Sequence, residues 1–124
     1  MSMVEKAAAL IETHGKEAFS EFRRKDSEWY TGGTYIFIDD IKGTSIVNPP
    51  APEIEGKNLL NMKDANGKAF IREMIELLKT KESGWIEYMW PKPGETKPSK
   101  KVSYIKKVKL GKEVLIVGAG IYSD

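Results

Sequence analysis

From residue 85 onward, three strand-like runs follow one another through links too short for anything but hairpins. Trp85–Trp90 (WIEYMW), Lys101–Lys109 and Glu113–Tyr122 are rich in β-branched and aromatic residues. A polar loop opened by Pro91-Lys92-Pro93-Gly94 separates the first two, and the tight turn Leu110-Gly111-Lys112 separates the last two. Parallel neighbours need a crossover of about a dozen residues or more, and neither link provides one. The runs must form an antiparallel meander.

The helices therefore lie upstream. Val4, Ala8, Ile11, Gly15, Ala18, Phe22 and Trp29 recur mostly at three- and four-residue steps. This spacing predicts one long amphipathic helix over residues 3–30, capped by Ser2 and stopped by Thr31-Gly32-Gly33. Thr34–Asp40 (TYIFIDD) reads as a strand, Ile41-Lys42-Gly43-Thr44 as a turn and Ser45–Val47 as its short return. Pro49, Pro50 and Pro52 then force a stiff extended loop. Asp64 or Asn66 caps a second helix reaching about Lys79, with Phe70, Ile71, Met74, Ile75 and Leu78 on its buried face. The order is α-β-β-α-β-β-β: one α+β domain over residues 3–124, with a five-stranded antiparallel sheet and a helix inserted after strand 2. The 124 residues suffice for one such core.

Composition removes several function classes. No cysteine is present, so disulfides, thiolate nucleophiles and cysteine-based metal sites are excluded. A single histidine, His14, rules out multi-histidine metal centres. The longest apolar run, Ala7–Ile11, is far short of a bilayer span, and no basic cap, apolar stretch and cleavage site of a signal peptide is visible. The net charge of +2 says little. Its distribution says more, because eight lysines oppose only Glu95 between Lys92 and Lys112. That segment is where an anion is attracted.

Aromatic and cationic side chains converge there. Trp85, Tyr88, Trp90 and Lys92 lie on or beside one strand, and Lys100, Lys101, Ser103, Tyr104 and Lys106 on its neighbour. Lysine charge, directed hydroxyl and indole donors and water-excluding ring faces together suit a small carboxylate. The alternative is a solvated lysine face beside ordinary core aromatics. Tyr35 and Phe37 share one face of the first strand, and Tyr88 and Trp90 one face of the third. On the fourth, Lys101 and Ser103 point one way, and Val102 and Tyr104 the other. Periodicity does not say which face meets the pocket, so both sets stay candidates. Arg72, off the apolar stripe of the second helix, is a candidate carboxylate clamp, although arginines so placed are usually exposed.

Other constellations carry less. Asp39 and Asp40 point to opposite faces of a strand, which makes turn-capping the expected role rather than a shared ligand. Gly118-Ala119-Gly120 lacks the third glycine and following helix of a dinucleotide fingerprint, and close backbone packing explains it better. Lys101 and Ser103 lack an oxyanion hole for nucleophilic chemistry. Mid-helix, His14 reads as a surface imidazole.

Four segments taken together resemble the single Cache sensor domains of the second type: Gly33–Asp40, Gly56-Lys-Asn-Leu59 with Lys63–Lys68, Gly84–Pro93, and Lys101-Val-Ser-Tyr104 with Gly118–Tyr122. The resemblance covers residues 3–124. It implies a PAS-like, extracytoplasmic sensor of small organic acids such as acetate, propionate, pyruvate or lactate, serving signal transduction or chemotaxis. It places the ligand between the sheet and overlying loops, against Tyr88, Trp90, Lys92, Lys101, Ser103 and Tyr104, with Tyr35 and Phe37 as the floor. Receptors of this kind carry flanking transmembrane helices and an output domain. The expectation here is an excised or stand-alone sensor domain with its leader or membrane segment absent.

The expected function is thus a binding module and not an enzyme, with no cofactor and no metal. A ligand of about six heavy atoms at a ceiling of about 1.5 kcal/mol each gives about 9 kcal/mol, a micromolar affinity or slightly better. The Val4–Phe22 stripe is expected to support a helix-paired homodimer. The rival reading is an electrostatic binder of nucleic acid or an anionic surface through residues 85–112. A hydrolase using buried carboxylates has no motif behind it.

Overall fold

The computed structural model describes residues 1–123. Its centre is a five-stranded sheet of spatial order β4-β3-β7-β6-β5, antiparallel at every pairing. The strands are β3 (Phe37–Asp40), β4 (Ser45–Val47), β5 (Ser83–Pro91), β6 (Pro98–Leu110) and β7 (Glu113–Tyr122). Two short strands, β1 (Tyr30–Thr31) and β2 (Thr34–Tyr35), form a separate hairpin. The meander expected from the short links is present, with β5 and β6 longer than their apolar runs implied.

One face of the sheet packs on helix α1 (Ser2–His14), burying Val4, Ala7, Ala8 and Ile11 against Ile36, Ile38, Val108, Leu115, Val117 and Ala119. The other packs on helix α3 (Phe70–Thr80), with Phe70, Ile71, Met74 and Leu78 against Tyr88, Ile105 and Ile116. Alternation along β6 and β7 supplies both cores at once.

The single helix expected over residues 3–30 is instead broken. α1 ends at His14, Gly15 adopts φ 63°, and a 3₁₀ turn (Gly15–Ala18) leads into the four-residue α2 (Phe19–Phe22). Ala18, Phe22 and Trp29 are still buried, so the apolar stripe continues across the break and conceals it. Phe22 meets Trp29 edge-on at 5.1 Å, and Asp26 (φ 62°) turns the chain into β1. The stripe on which a helix-paired dimer was expected to rest packs, in Val4, Ala8, Ile11, Ala18 and Phe22, within the chain's own core.

The expected strand over residues 34–40 is likewise interrupted at Ile36, whose N–H donates to the Trp29 carbonyl at 3.0 Å. The second helix starts at Phe70, later than an Asp64 or Asn66 cap implied. Asp64 instead holds the preceding loop: its Oδ1 accepts from the Asn66 and Lys68 N–H groups, and its Oδ2 from the Met89 N–H of β5 at 2.9 Å. Residues 56–59 run along the outer edge of β4. Gly56 N–H donates to the Ser45 carbonyl and Ser45 N–H to that of Lys57, while Leu59 N–H donates to the Gly43 carbonyl in the β3–β4 turn. That cover blunts one sheet edge and brings Leu59 over the α3-side face.

Candidate ligand-binding chamber

Three neighbouring strands set Tyr88, Lys101 and Tyr122 side by side, because Tyr88 on β5 pairs with Lys101 on β6 and Lys101 with Tyr122 on β7. Strand pleating sends all three toward α3, together with Ser103 two residues on. Lys101 is 1% exposed. Its Nζ donates to Tyr35 Oη at 3.1 Å. The ammonium also lies 4.3 Å from the Tyr35 ring centre, 4.9 Å from that of Phe37, 5.5 Å from that of Tyr122 and 5.8 Å from that of Tyr88. Four rings thus surround one cation, at distances where each quadrupole attracts it.

Glycines make the space. A side chain on Gly120 would strike Ser103 Oγ and Lys101 Cε, and one on Gly118 would strike the Phe37 ring. The Gly118-Ala119-Gly120 run is thus a close-packing device. Tyr88 Oη lies 3.0 Å from Ser103 Oγ, and Tyr122 Oη donates to the Pro91 carbonyl at 2.7 Å.

These side chains enclose a cavity of about 20 Å³, with room for about one water molecule. Tyr35, Phe37, Tyr88, Trp90 and Lys101 line it from the sheet side. Leu59 from the loop and Phe70, Ile71 and Met74 from α3 form its roof. Phe70 stacks on Tyr88 at 4.9 Å with the ring planes 2° apart, and packs edge-on against Trp90 at 5.5 Å. Phe70 and Trp90 also line a surface groove of about 520 Å³ with Met62, Pro91 and Pro93. The two rings therefore separate the closed chamber from that groove.

Asp39 and Asn48 contribute polar groups to the same chamber. Asp39 is 6% exposed, and no donor among the described residues bonds to its carboxylate. Burial, reinforced by the neighbouring Asp40 and opposed by Lys101, pushes its carboxyl up to about 7. Burial also brings the Lys101 ammonium down to about 7, with Asp39 opposing. The hydroxyls of Tyr35 and Tyr88 are pushed upward, chiefly by burial, and stay neutral donors.

Of the nine residues singled out from the sequence, Tyr35, Phe37, Tyr88, Trp90 and Lys101 meet in this chamber, with Ser103 attached through Tyr88. Three do not. Arg72 is exposed on α3 and bonds to Asn61 Oδ1 instead of leaning over the sheet. Lys92 lines the outer grooves, because the loop after β5 carries it past the chamber. Tyr104 lies on the α1 face, as alternation with Lys101 and Ser103 demands, and bonds to Ser83 Oγ and Glu5. Asp39 corrects another expectation. Asp40 caps the turn, accepting from the Lys42 and Thr44 N–H groups, whereas Asp39 faces inward. The i, i+2, i+4 series Tyr35, Phe37, Asp39 carried that signal in the sequence; nothing local marked Asn48 or Leu59.

The basic segment is partly spent internally. Lys101 is buried, and Lys100, Lys106 and Lys107 pair with Glu87, Glu5 and Glu82.

The Cache domain family model named dCache_2 matches residues 5–124. The chain belongs to the Cache family. It is 34% identical over 95 residues to the methyl-accepting chemotaxis protein McpP of Pseudomonas putida, covering 77% of this chain and 17% of that protein. With the sensor histidine kinase MctS of Rhizobium johnstonii it shares 34% identity over 90 residues, which cover 73% of this chain and 19% of the relative. The chain thus spans under a fifth of either relative's length. A solved structure described as "Structural basis for carboxylic acid recognition by a Cache chemosensory domain" superposes with a TM-score of 0.80 at 30% identity, covering 99% of this chain and 85% of that one. A periplasmic sensor domain of a chemotaxis protein gives a TM-score of 0.79 at 27% identity, covering 99% and 87%. The PAS domain of an HTR-like protein from Haloarcula marismortui, at 13% identity and a TM-score of 0.60 over 96% of this chain and 99% of that one, shares the fold. Among the described residues no helix is long and apolar enough to cross a membrane.

Proposed function

We propose that this Cache domain is the extracytoplasmic sensor module of a signalling protein and binds a small monocarboxylate of the acetate, propionate, pyruvate or lactate type. The observation that carries the reading is Lys101, a fully buried cation ringed by aromatic faces, in a chamber whose walls are otherwise mostly apolar apart from Asp39 and Asn48. A buried ammonium out of contact with any anion is costly; Lys101 bonds to Tyr35 and makes no ion pair with Asp39, and a carboxylate entering beside it supplies that contact. The Tyr35 hydroxyl, which accepts from Lys101, is poised to donate its own proton to a carboxylate oxygen.

In the closed chamber about 20 Å³ is too little for even a two-carbon acid, so binding requires the roof to lift. Phe70 and Trp90 stand between chamber and groove and are the side chains that swing aside. Closure over the ligand then excludes water and strengthens each charge-assisted bond. The likeness to a structure described as recognising carboxylic acids supports the same ligand class.

Calorimetric titration with C2 to C4 carboxylic acids tests the reading. Saturable heat with at least one acid is expected, at micromolar affinity or slightly better; absence of heat with all of them rejects it.

A further inference from the structure

The chamber holds one basic and one acidic side chain, and neither satisfies the other. Lys101 donates to Tyr35, and it forms no ion pair with Asp39. Asp39 has no hydrogen-bond donor among the described residues. Asn48 Oδ1, from a residue lining the same cavity, is a buried acceptor without a partner among the described residues. The other polar groups facing this space are the hydroxyls of Tyr35 and Tyr88 and the Trp90 indole N–H, with the neighbouring Tyr122 hydroxyl turned to the Pro91 carbonyl, while Asp40 turns its carboxylate to the β3–β4 turn and α3 presents only Phe70, Ile71 and Met74. Among the described residues, Lys101 and Asp39 are therefore the charge inventory of the chamber.

A water-poor enclosure resists net charge strongly. Without ligand, the two groups balance as ammonium with carboxylate or as amine with carboxylic acid, and either way one titrating proton serves both. A monocarboxylate adds a negative charge. It takes the Lys101 ammonium as its partner and strands Asp39 as a second anion. One proton from the surrounding buffer restores neutrality, and Asp39 can hold it while donating to an acceptor that now lacks one. We propose that the chamber binds a small monocarboxylate together with one proton, carried by Asp39, so that the domain reads the acid rather than the anion. The proposal rests on the carboxylate reading above. The shifts of both groups toward neutrality agree with a proton shared at physiological pH.

An α-amino acid behaves differently. Its ammonium neutralises Asp39 directly, it adds no net charge, and it takes up no proton. Acidity should thus matter for simple acids alone. With one proton per ligand, affinity for acetate or propionate falls about tenfold per pH unit above about 7.

Calorimetry of the whole chain with acetate, propionate and alanine at about pH 7.5, in phosphate and in Tris, counts protons from the difference in buffer ionisation heat. Uptake of about one proton per bound acid is the expected result. Acid binding with no uptake overturns this proposal and leaves the carboxylate reading standing. Alanine binding without uptake, in place of either acid, overturns both, as does absence of binding to acetate and propionate between about pH 5.5 and 8.5. The proton's location is read by difference infrared spectroscopy: propionate should raise a protonated-carboxyl band in the wild type that Asp39→Asn lacks. Carbon NMR of labelled aspartate in the wild-type chain reports the same event without a substitution. An Asp39 carboxyl that stays ionised in the complex overturns the assignment.

Discussion

Gly120 leaves the space that the Lys101 side chain fills. Across the β6–β7 ladder a methyl group at residue 120 would meet Lys101 Cε and Ser103 Oγ, both buried and hemmed in by rings. Gly120→Ala should therefore push the ammonium out of its aromatic surround. The expected result is at least tenfold weaker binding of the best acid, with a stability loss of about 1–3 kcal/mol typical of overpacking. Calorimetry and urea denaturation check the two effects separately, and unchanged affinity would show that the position of Lys101 does not matter.

Lys101→Met keeps the length of the side chain and removes its charge. Truncating one partner of a buried charge pair costs about 2–5 kcal/mol, so affinity for the acid should drop by about 30-fold or more. Arg72→Ala is the matched control. Its guanidinium bonds to Asn61 at the surface, and its loss should leave affinity within about twofold. Equal losses in both variants would contradict the chamber assignment.

The ligand-free domain should show an unusual stability profile. Between pH 3.8 and about 7 the folded chain holds more protons than the unfolded one, because Asp39 is raised, so its contribution falls as pH rises. Between about 7 and 10.5 the unfolded chain holds more, because Lys101 is lowered, so that contribution climbs. The difference in unfolding free energy between wild type and the Asp39→Asn, Lys101→Met double variant should therefore pass through a minimum near pH 7. Urea denaturation from pH 4 to 10 measures it, and a flat difference would refute the burial of both charges.

Asp64→Ala tests the loop that precedes α3. Partial burial alone would raise this carboxyl, but N–H donors from Met89, Lys68 and Asn66 hold it below its usual range. Its stabilising share is accordingly present above pH 3.8 and vanishes on acidification through the lowered value. Wild type should exceed the variant in melting temperature at neutral pH, and the gap should close in acid.

Much of this architecture is legible in the chain itself. Short links dictated the meander, and alternation along β6 grouped Lys101 with Ser103 apart from Tyr104. What local pattern could not convey was where periodic burial outlasts the helix. Gly15 sits on the apolar stripe and breaks the helix without breaking the stripe, since a 3₁₀ turn can point Ala18 inward as well as an α-turn can. Nor could spacing choose the face of β6 that lines the chamber. That depended on α3, the loop at Leu59 and the inward turn of Asp39, all brought to β6 from distant parts of the chain. Arg72 is exposed, as arginines off an apolar stripe usually are, and its partner Asn61 lies in an irregular loop that no periodicity describes.

The two sides of β6 do different jobs within one stretch of backbone. Lys101 reaches toward the chamber, and Tyr104 and Lys106 reach the opposite way to Glu5 near the start of α1. If Lys101 closes around the proposed anion, the same backbone would carry that shift to the contacts of Tyr104 and Lys106 with Glu5 behind the sheet. On the proposed reading, β6 would then link occupancy in front of the sheet to helix position behind it.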